Sequence, residues 1–178
     1  MKMQPETLIL GWGNPGRADD GLGPEFVRAI EALGLPGVVV DSDYQLQVED
    51  AAQVARFRRV LFVDADRAGA EPFRLGRLFA EERSLSFSTH SVSPAAVLAL
   101  VRDLFHSRPE AWILGIRGYE FDEFREQLSA GARSNLDQAV EYLKSAVRGD
   151  GLQEIRSRAV IKPTTNDYEG NPCQTTNP

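Results

Sequence analysis

The chain has 178 residues, 42% of them hydrophobic and 26% charged, the size and balance of one globular domain with a core of its own. Acidic residues outnumber basic ones by 26 to 20, a formal charge of −6, which argues against a nucleic-acid partner because phosphates are neutralised by a basic surface. A single cysteine excludes a disulfide framework and the four-cysteine and two-cysteine, two-histidine zinc sites, and any imidazole chemistry must use His90 or His106, the two histidines of the chain.

Taken in order, the first ten residues hold no apolar run longer than Leu8-Ile9-Leu10. That is short of the roughly 7–15 apolar residues of a secretory segment and of the roughly 20 of a membrane span. A cytoplasmic protein with no membrane partner is expected. Residues 7–10 read as a buried strand ending at Gly11. Residues 24–33 read as a helix with Phe26, Val27, Ile30 and Leu33 on one face and Pro24 in its first turn. A strand at 38–40, a short helix at 48–57 and a strand at 60–63 closing on Asp64 follow, then a weakly alternating strand at 73–79. Ser93 and Pro94 suit the start of a helix over 94–105, with a stripe of Val97, Leu98, Val101 and Leu104. A strand at 112–116 and a helix at 133–147 complete the pattern.

Strands alternating with helices predict a three-layer α/β sandwich, with a central, mostly parallel sheet of about five strands flanked by helices. One domain over 1–148 accounts for all of these elements. The remainder, 149–178, is expected to be a disordered tail. Its last sixteen residues contain three prolines, four threonines and three asparagines with almost nothing apolar, too little to offset the entropy of ordering.

Gly11-Trp12-Gly13-Asn14-Pro15-Gly16 matches the glycine pattern of a dinucleotide loop. Such a loop runs directly into a helix whose N-terminus holds the diphosphate. Here Arg17-Ala18-Asp19-Asp20-Gly21 intervenes, and two carboxylates beside a diphosphate would repel it. One acid is accounted for by capping of the next helix. The other reading is a carboxylate presented at the carboxyl end of a strand, where open α/β sheets bind ligands. Asp64 and Asp66 follow the third strand and admit the same two readings. His90 precedes a helix, whereas His106 ends one and is explained there by the helix terminus. Asp20, Asp64 and His90 therefore fall on one expected edge of the sheet. Two carboxylates and an imidazole suit a borderline divalent metal or the positioning of a hydrolytic water.

At this point the ordered set of motifs resembles the maturation endopeptidases of nickel–iron hydrogenases. The residues that carry the resemblance are Gly11-x-Gly13-Asn14, Asp19-Asp20-Gly21-x-Gly23, Val63-Asp64-Ala65, His90 before a helix, Leu114-Gly115-Ile116-Arg117-Gly118-Tyr119-Glu120 and Leu128-Ser129. The resemblance covers about residues 7–147. It implies a phosphorylase/hydrolase-like sandwich. It also implies an endopeptidase that removes the C-terminal extension of a hydrogenase large-subunit precursor once nickel has been inserted. The nickel carried by the precursor is then the recognition element and no organic cofactor is needed. By motif position the side chains that contact this metal are Asp20, Asp64 and His90, with Asp20 and Asp64 the candidates for water activation.

Many relatives have Asp-Gly-Gly after the second strand. This chain has Asp41-Ser42-Asp43-Tyr44-Gln45-Leu46-Gln47-Val48-Glu49-Asp50, which is similar to the variety associated with soluble, NAD-linked hydrogenases. Asp43, Gln45 and Glu49 are the expected contacts with the precursor, although an ordinary loop and helix start also explain Asp43 and Glu49. Two other readings stand beside this one. Gly13-Asn14-Pro15-Gly16 is similar to the opening of peptidyl-tRNA hydrolases, although the Arg-His-Asn that follows there is absent here. A non-catalytic module of the same fold would bind a metal or a partner without cutting.

Overall fold

The computed structural model describes residues 6–81 and 92–148; the expected site residue His90 and the segment 149–178 lie outside them. Five strands form one sheet: β1 (Thr7–Trp12), β2 (Val38–Asp43), β3 (Arg59–Asp66), β4 (Phe73–Leu78) and β5 (Glu110–Arg117). Their order across the sheet is β2-β1-β3-β5-β4. All neighbours are parallel except β4, which runs antiparallel to β5 at one edge. The helices are α1 (Leu22–Leu33), α2 (Asp50–Val54), α3 (Pro94–Phe105) and α4 (Ala130–Arg148). This is the expected α/β sandwich.

The central strands read as unbroken apolar runs because both of their faces are covered. Ile9, Leu61, Val63, Trp112, Leu114 and Ile116 pack on Phe26 and Ile30 of α1 and on Leu136 and Leu143 of α4. The alternate residues, Leu8, Leu10, Val60, Phe62, Ala111 and Ile113, pack on Val54 of α2 and on Val97 and Val101 of α3. The expected helix start at Ser93 holds: its hydroxyl accepts the Ala96 N–H at 3.0 Å, with Pro94 next in the chain.

Several boundaries differ from expectation for physical reasons. The helix expected over 48–57 is only five residues long, since the segment before it is spent turning the chain from the edge strand β2. The last helix starts at Ala130, where Ala130-Gly131-Ala132 offers no apolar stripe to read. Its start is marked instead by Ser129, whose hydroxyl accepts the Ala132 N–H at 3.2 Å. β3 continues past Val63, so that Asp64 and Asp66 lie inside the strand.

This topology creates a crevice. From β1 the chain turns through α1 to β2 on one side and then returns through α2 to β3 on the other. β1 and β3 are neighbours in the sheet, and the chain leaves β1 through α1 on one face and enters β3 from α2 on the other. The carboxyl ends of these two strands therefore border the gap where parallel sheets bind ligands.

Candidate active site

Two glycines bring the first loop onto this edge. A Cβ on Gly23 would lie 2.9 Å from the Val63 carbonyl oxygen and 2.8 Å from the Trp12 nitrogen, so only glycine lets α1 start against the ends of β1 and β3. Gly13 has φ of +137° and faces the Asp20 carbonyl, a conformation and a space that no side chain shares. The glycine pattern thus serves close packing of backbone and the turn into the acidic loop. A 3₁₀ turn over Ala18–Gly21 separates that loop from α1, which removes the direct loop-to-helix geometry of a diphosphate site.

Asp20 stands in this turn. Its Oδ2 accepts the Asn14 N–H at 2.9 Å, and the Asn14 side chain in turn accepts the Gly16 N–H at 2.9 Å. Asp64 stands at the carboxyl end of β3. Its Oδ1 accepts the Ala65 N–H at 2.8 Å. Burial pushes the Asp64 carboxyl up to about 7 against the opposing pull of the Ala65 N–H, and the negative charges of Asp20 and Asp66 add to the rise by smaller amounts. The influence of Asp20 on this carboxyl brings two of the three expected residues into one electrostatic unit. The third, His90, lies outside the described residues. Among the described residues no three His, Cys, Asp or Glu side chains form a metal-holding group.

The other acids have different work. Asp66 is buried and takes Arg74 Nη2 at 2.5 Å and Arg74 Nε at 2.7 Å. It also accepts the N–H groups of Ala68 and Gly69 at 3.0 and 2.7 Å, which makes it the brace of the turn after β3. Asp19 is fully buried and does not cap its own turn. It accepts hydrogen bonds from Tyr119, Glu120 and Ser129 on the far side of the sheet edge. Burial opposes its charge, but these donors outweigh burial and hold its carboxyl below the usual range. Sequence reasoning assigned Asp19 no role of its own. The signal was available in the second acid left over once one is assigned to capping.

Asp43 ends β2 beside Trp12 of β1. Its carboxylate accepts the Tyr44 N–H at 2.6 Å and the Gln47 side-chain amide at 3.3 Å. Gln45 is exposed. Glu49 borders an apolar hollow of about 440 Å³ between α2 and α3, lined also by Val48, Ala52, Leu100, Leu104 and Phe105. The hollow includes neither Asp20 nor Asp64, so this apolar concavity and the acid pair are separate features. His106 ends α3 in a left-handed conformation, φ 52°, and its backbone N–H bonds the Val101 carbonyl. Its terminus role is therefore performed by the main chain.

Two carboxylates at the switch point of a parallel sheet, one raised to about 7 chiefly by burial, are a donor set suited to proton transfer in hydrolysis. Comparison with known proteins gives the class a family. The chain is 33% identical over 159 residues to the hydrogenase expression/formation protein HupD of Thiocapsa roseopersicina, covering 80% of this chain and 70% of that one. It is 27% identical over 156 residues to a putative hydrogenase maturation protease of Methanocaldococcus jannaschii, covering 80% and 97%. No family model matches the chain. Among solved structures, the hydrogenase maturating endopeptidase HybD from Escherichia coli superposes with a TM-score of 0.61 at 22% identity, over 82% of this chain and 94% of that one. The [NiFe] hydrogenase maturation protease HycI from Thermococcus kodakarensis gives 0.61 at 20% identity, over 83% and 95%. These two structures share the fold. The chain belongs to the family of hydrogenase maturation proteases and is a hydrolase. This membership sets aside the peptidyl-tRNA hydrolase reading. No helix among the described residues is long and apolar enough to cross a membrane.

Proposed function

We propose that this protease removes the C-terminal extension of a nickel–iron hydrogenase large-subunit precursor in the cytoplasm, and that it recognises the precursor through the nickel inserted there. The metal is part of the substrate. Asp20, Asp64 and His90 supply two oxygens and one nitrogen, and the soft ligands come from the precursor, since this chain has one cysteine, Cys173, in its last six residues. A site with three donors of its own leaves positions open for donors brought by a partner.

The observation that carries this reading is the placement of Asp20 and Asp64 at the carboxyl ends of the neighbouring strands β1 and β3 in a chain of the hydrogenase maturation protease family, with the Asp64 carboxyl raised to about 7 chiefly by burial. Among the described residues no salt bridge reaches either carboxylate, and a divalent cation carried in by the precursor supplies the positive charge. The cation stabilises the ionised form of Asp64, so its arrival displaces the proton that Asp64 holds at neutral pH. The carboxylate thus freed accepts a proton from the water that attacks the scissile carbonyl. That proton then passes to the leaving amide nitrogen as the C–N bond breaks. A precursor without nickel neither completes the charge pattern nor aligns its peptide bond, which makes the metal a checkpoint on maturation.

The loop after β2 selects the precursor in this reading, through Asp43, Gln45 and Glu49. Its sequence favours a soluble, NAD-linked hydrogenase as the source. The test is incubation of the protein with purified large-subunit precursors, loaded with nickel or free of it, followed by intact-mass measurement. One cut near the C-terminus of the loaded form alone is expected. Equal cleavage of both forms would remove the metal checkpoint, and binding without cleavage would return the chain to a non-catalytic module.

A further inference from the structure

Asp19 takes no part in the acid pair, yet it is the most completely satisfied carboxylate near it. It is 0% exposed. Its Oδ2 accepts the Tyr119 N–H at 2.7 Å, the Glu120 N–H at 2.9 Å and the Ser129 hydroxyl at 2.7 Å. Its Oδ1 accepts the Ser129 N–H at 2.7 Å. All of these donors belong to the segment between β5 and α4, about a hundred residues away in the chain. We propose that Asp19 is a positioning residue for Asp20, fixing the direction of the neighbouring carboxylate by clamping the first loop to that segment. The inference rests on the reading that Asp20 acts in cleavage.

The backbone around the clamp points the same way. The Ala18 N–H donates to the Arg125 carbonyl at 2.8 Å and the Asp19 N–H to the Glu120 carbonyl at 2.9 Å. Ala18 has φ of +47°, a left-handed conformation that a residue with a Cβ keeps only where its surroundings hold it. A Cβ on Gly118 would lie 2.9 Å from the Asp19 Cβ, so a glycine is required for the two segments to approach this closely. Nothing here caps the turn that Asp19 belongs to, and Ser129 already caps α4 through Ala132. Simple capping therefore does not account for four hydrogen bonds on one carboxylate.

The link to Asp20 is geometric. Asp19 and Asp20 are consecutive in one 3₁₀ turn, in which successive side chains step by about 120°. With Asp19 anchored inward, Asp20 has one direction left, and there its Oδ2 meets the Asn14 N–H at 2.9 Å. The loop is closed by the Arg17 N–H on the Asn14 carbonyl at 3.0 Å and by the Asp20 N–H on the Arg17 carbonyl at 3.1 Å. Release of the anchor lets the turn rotate, and a displacement of roughly 1 Å at a reacting group costs about a hundredfold in rate.

The test compares the full-length wild-type chain with Asp19→Asn, Ser129→Ala and Val101→Ala. Asp19→Asn presents an amide donor to the clamp's N–H groups. Val101→Ala is a control in the opposite layer, where Val101 is buried. With nickel-loaded precursor at a temperature where each variant is folded, Asp19→Asn is expected to lower kcat by about 30- to 100-fold with KM within about threefold. Amide exchange at Tyr119, Glu120 and Ser129 is expected to accelerate, and exchange at Asn14 is expected to accelerate with it by tenfold or more. The Asn14 reading joins the clamp to Asp20. Val101→Ala is expected to keep the wild-type kcat. If Asp19→Asn does not fold, Ser129→Ala removes one donor, and a several-fold loss of kcat with faster exchange at Asn14 is then expected. Wild-type kcat in the folded clamp variant, unchanged exchange at Asn14, or an equal loss of kcat in Val101→Ala overturns the proposal. Failure of the wild-type chain to cut the precursor would instead strike the functional reading, while exchange at Asn14 still decides whether Asp19 positions the Asp20 loop.

Discussion

Asp64 and Asp66 stand two residues apart on one face of β3, and among the described residues only Asp66 is paired with a cation. Arg74 lies 2.5 Å from Asp66, whereas no described salt bridge involves Asp64, which faces the charge of Asp20 and carries a carboxyl raised to about 7. Positions two apart on one strand share a face of the sheet. The two acids differ in the partner charge that the described residues supply.

The raised carboxyl fixes the sign of a stability change. Between about pH 4 and pH 7 the folded chain holds the Asp64 proton and the unfolded chain has lost it, so stability falls as pH rises through that window. Asp64→Asn lacks this loss. Holding that proton up to about pH 7 has a ceiling of roughly 4 kcal/mol, and screening at a partly exposed carboxyl leaves on the order of 1–2 kcal/mol. At pH 8 the variant is expected to melt roughly 2–8 °C above the wild type, with little difference at pH 4. Processing of precursor is expected to fall by a hundredfold or more. Calorimetric scans at the two pH values check the sign, and a lower melting temperature for the variant at pH 8 would contradict it.

The Asp66–Arg74 pair makes the opposite prediction. Among the described residues, Arg74→Ala leaves a buried carboxylate supported by the N–H groups of Ala68 and Gly69. Because Arg74 is itself partly exposed, a loss of about 1–3 kcal/mol is expected, or roughly 2–12 °C in melting temperature. At a temperature where the variant is folded, kcat is expected to stay within about threefold of wild type. A large loss of kcat in the fully folded variant would bring Asp66 into the reactive group.

Much of this arrangement is legible in the sequence because burial on two faces leaves a direct trace. Val60-Leu61-Phe62-Val63 is a strand covered by helices on both sides, and the polar residue that ends such a run must lie near the sheet edge. That logic reached Asp20 and Asp64. It did not distinguish Asp64 from Asp66, because Arg74 comes from β4, and a contact eight residues away leaves no periodicity to read. It did not reach Asp19, whose partners Tyr119, Glu120 and Ser129 are brought close only by the order of strands in the sheet. The motifs at Gly118-Tyr119-Glu120 and Leu128-Ser129 were visible as a resemblance, and their physical reason is the clamp on Asp19. The start of α4 escaped for a local reason: its cap, Ser129, is followed by small residues with no stripe.

The loop after β2 is open to a direct test of precursor selection. Gln45 is exposed, so Gln45→Ala is expected to leave the melting temperature within about 1 °C. If the side chain meets the precursor, KM is expected to rise by about three- to tenfold, with kcat unchanged. Glu49→Ala beside the apolar hollow is expected to behave the same way. Steady-state cleavage of one nickel-loaded precursor by both variants checks this, and wild-type KM in both would remove the loop from recognition.

Proton linkage offers the most specific test of how nickel is recognised. If the precursor's cation binds ionised Asp64, each binding event below pH 7 must expel the proton that Asp64 carries. With a carboxyl at about 7, this term alone weakens affinity for the nickel-loaded precursor by about eightfold between pH 7.5 and pH 6. Affinity for the nickel-free precursor lacks the term, because no cation then favours the ionised form. Asp64→Asn has no such proton to lose, so its affinity for the loaded precursor is expected to lack this part of the pH dependence. Any remainder belongs to other titrating ligands, His90 first among them. Calorimetric titrations at the two pH values, in buffers of different ionisation enthalpy, count the protons released. An identical pH dependence in wild type and Asp64→Asn would show that Asp64 does not meet the metal.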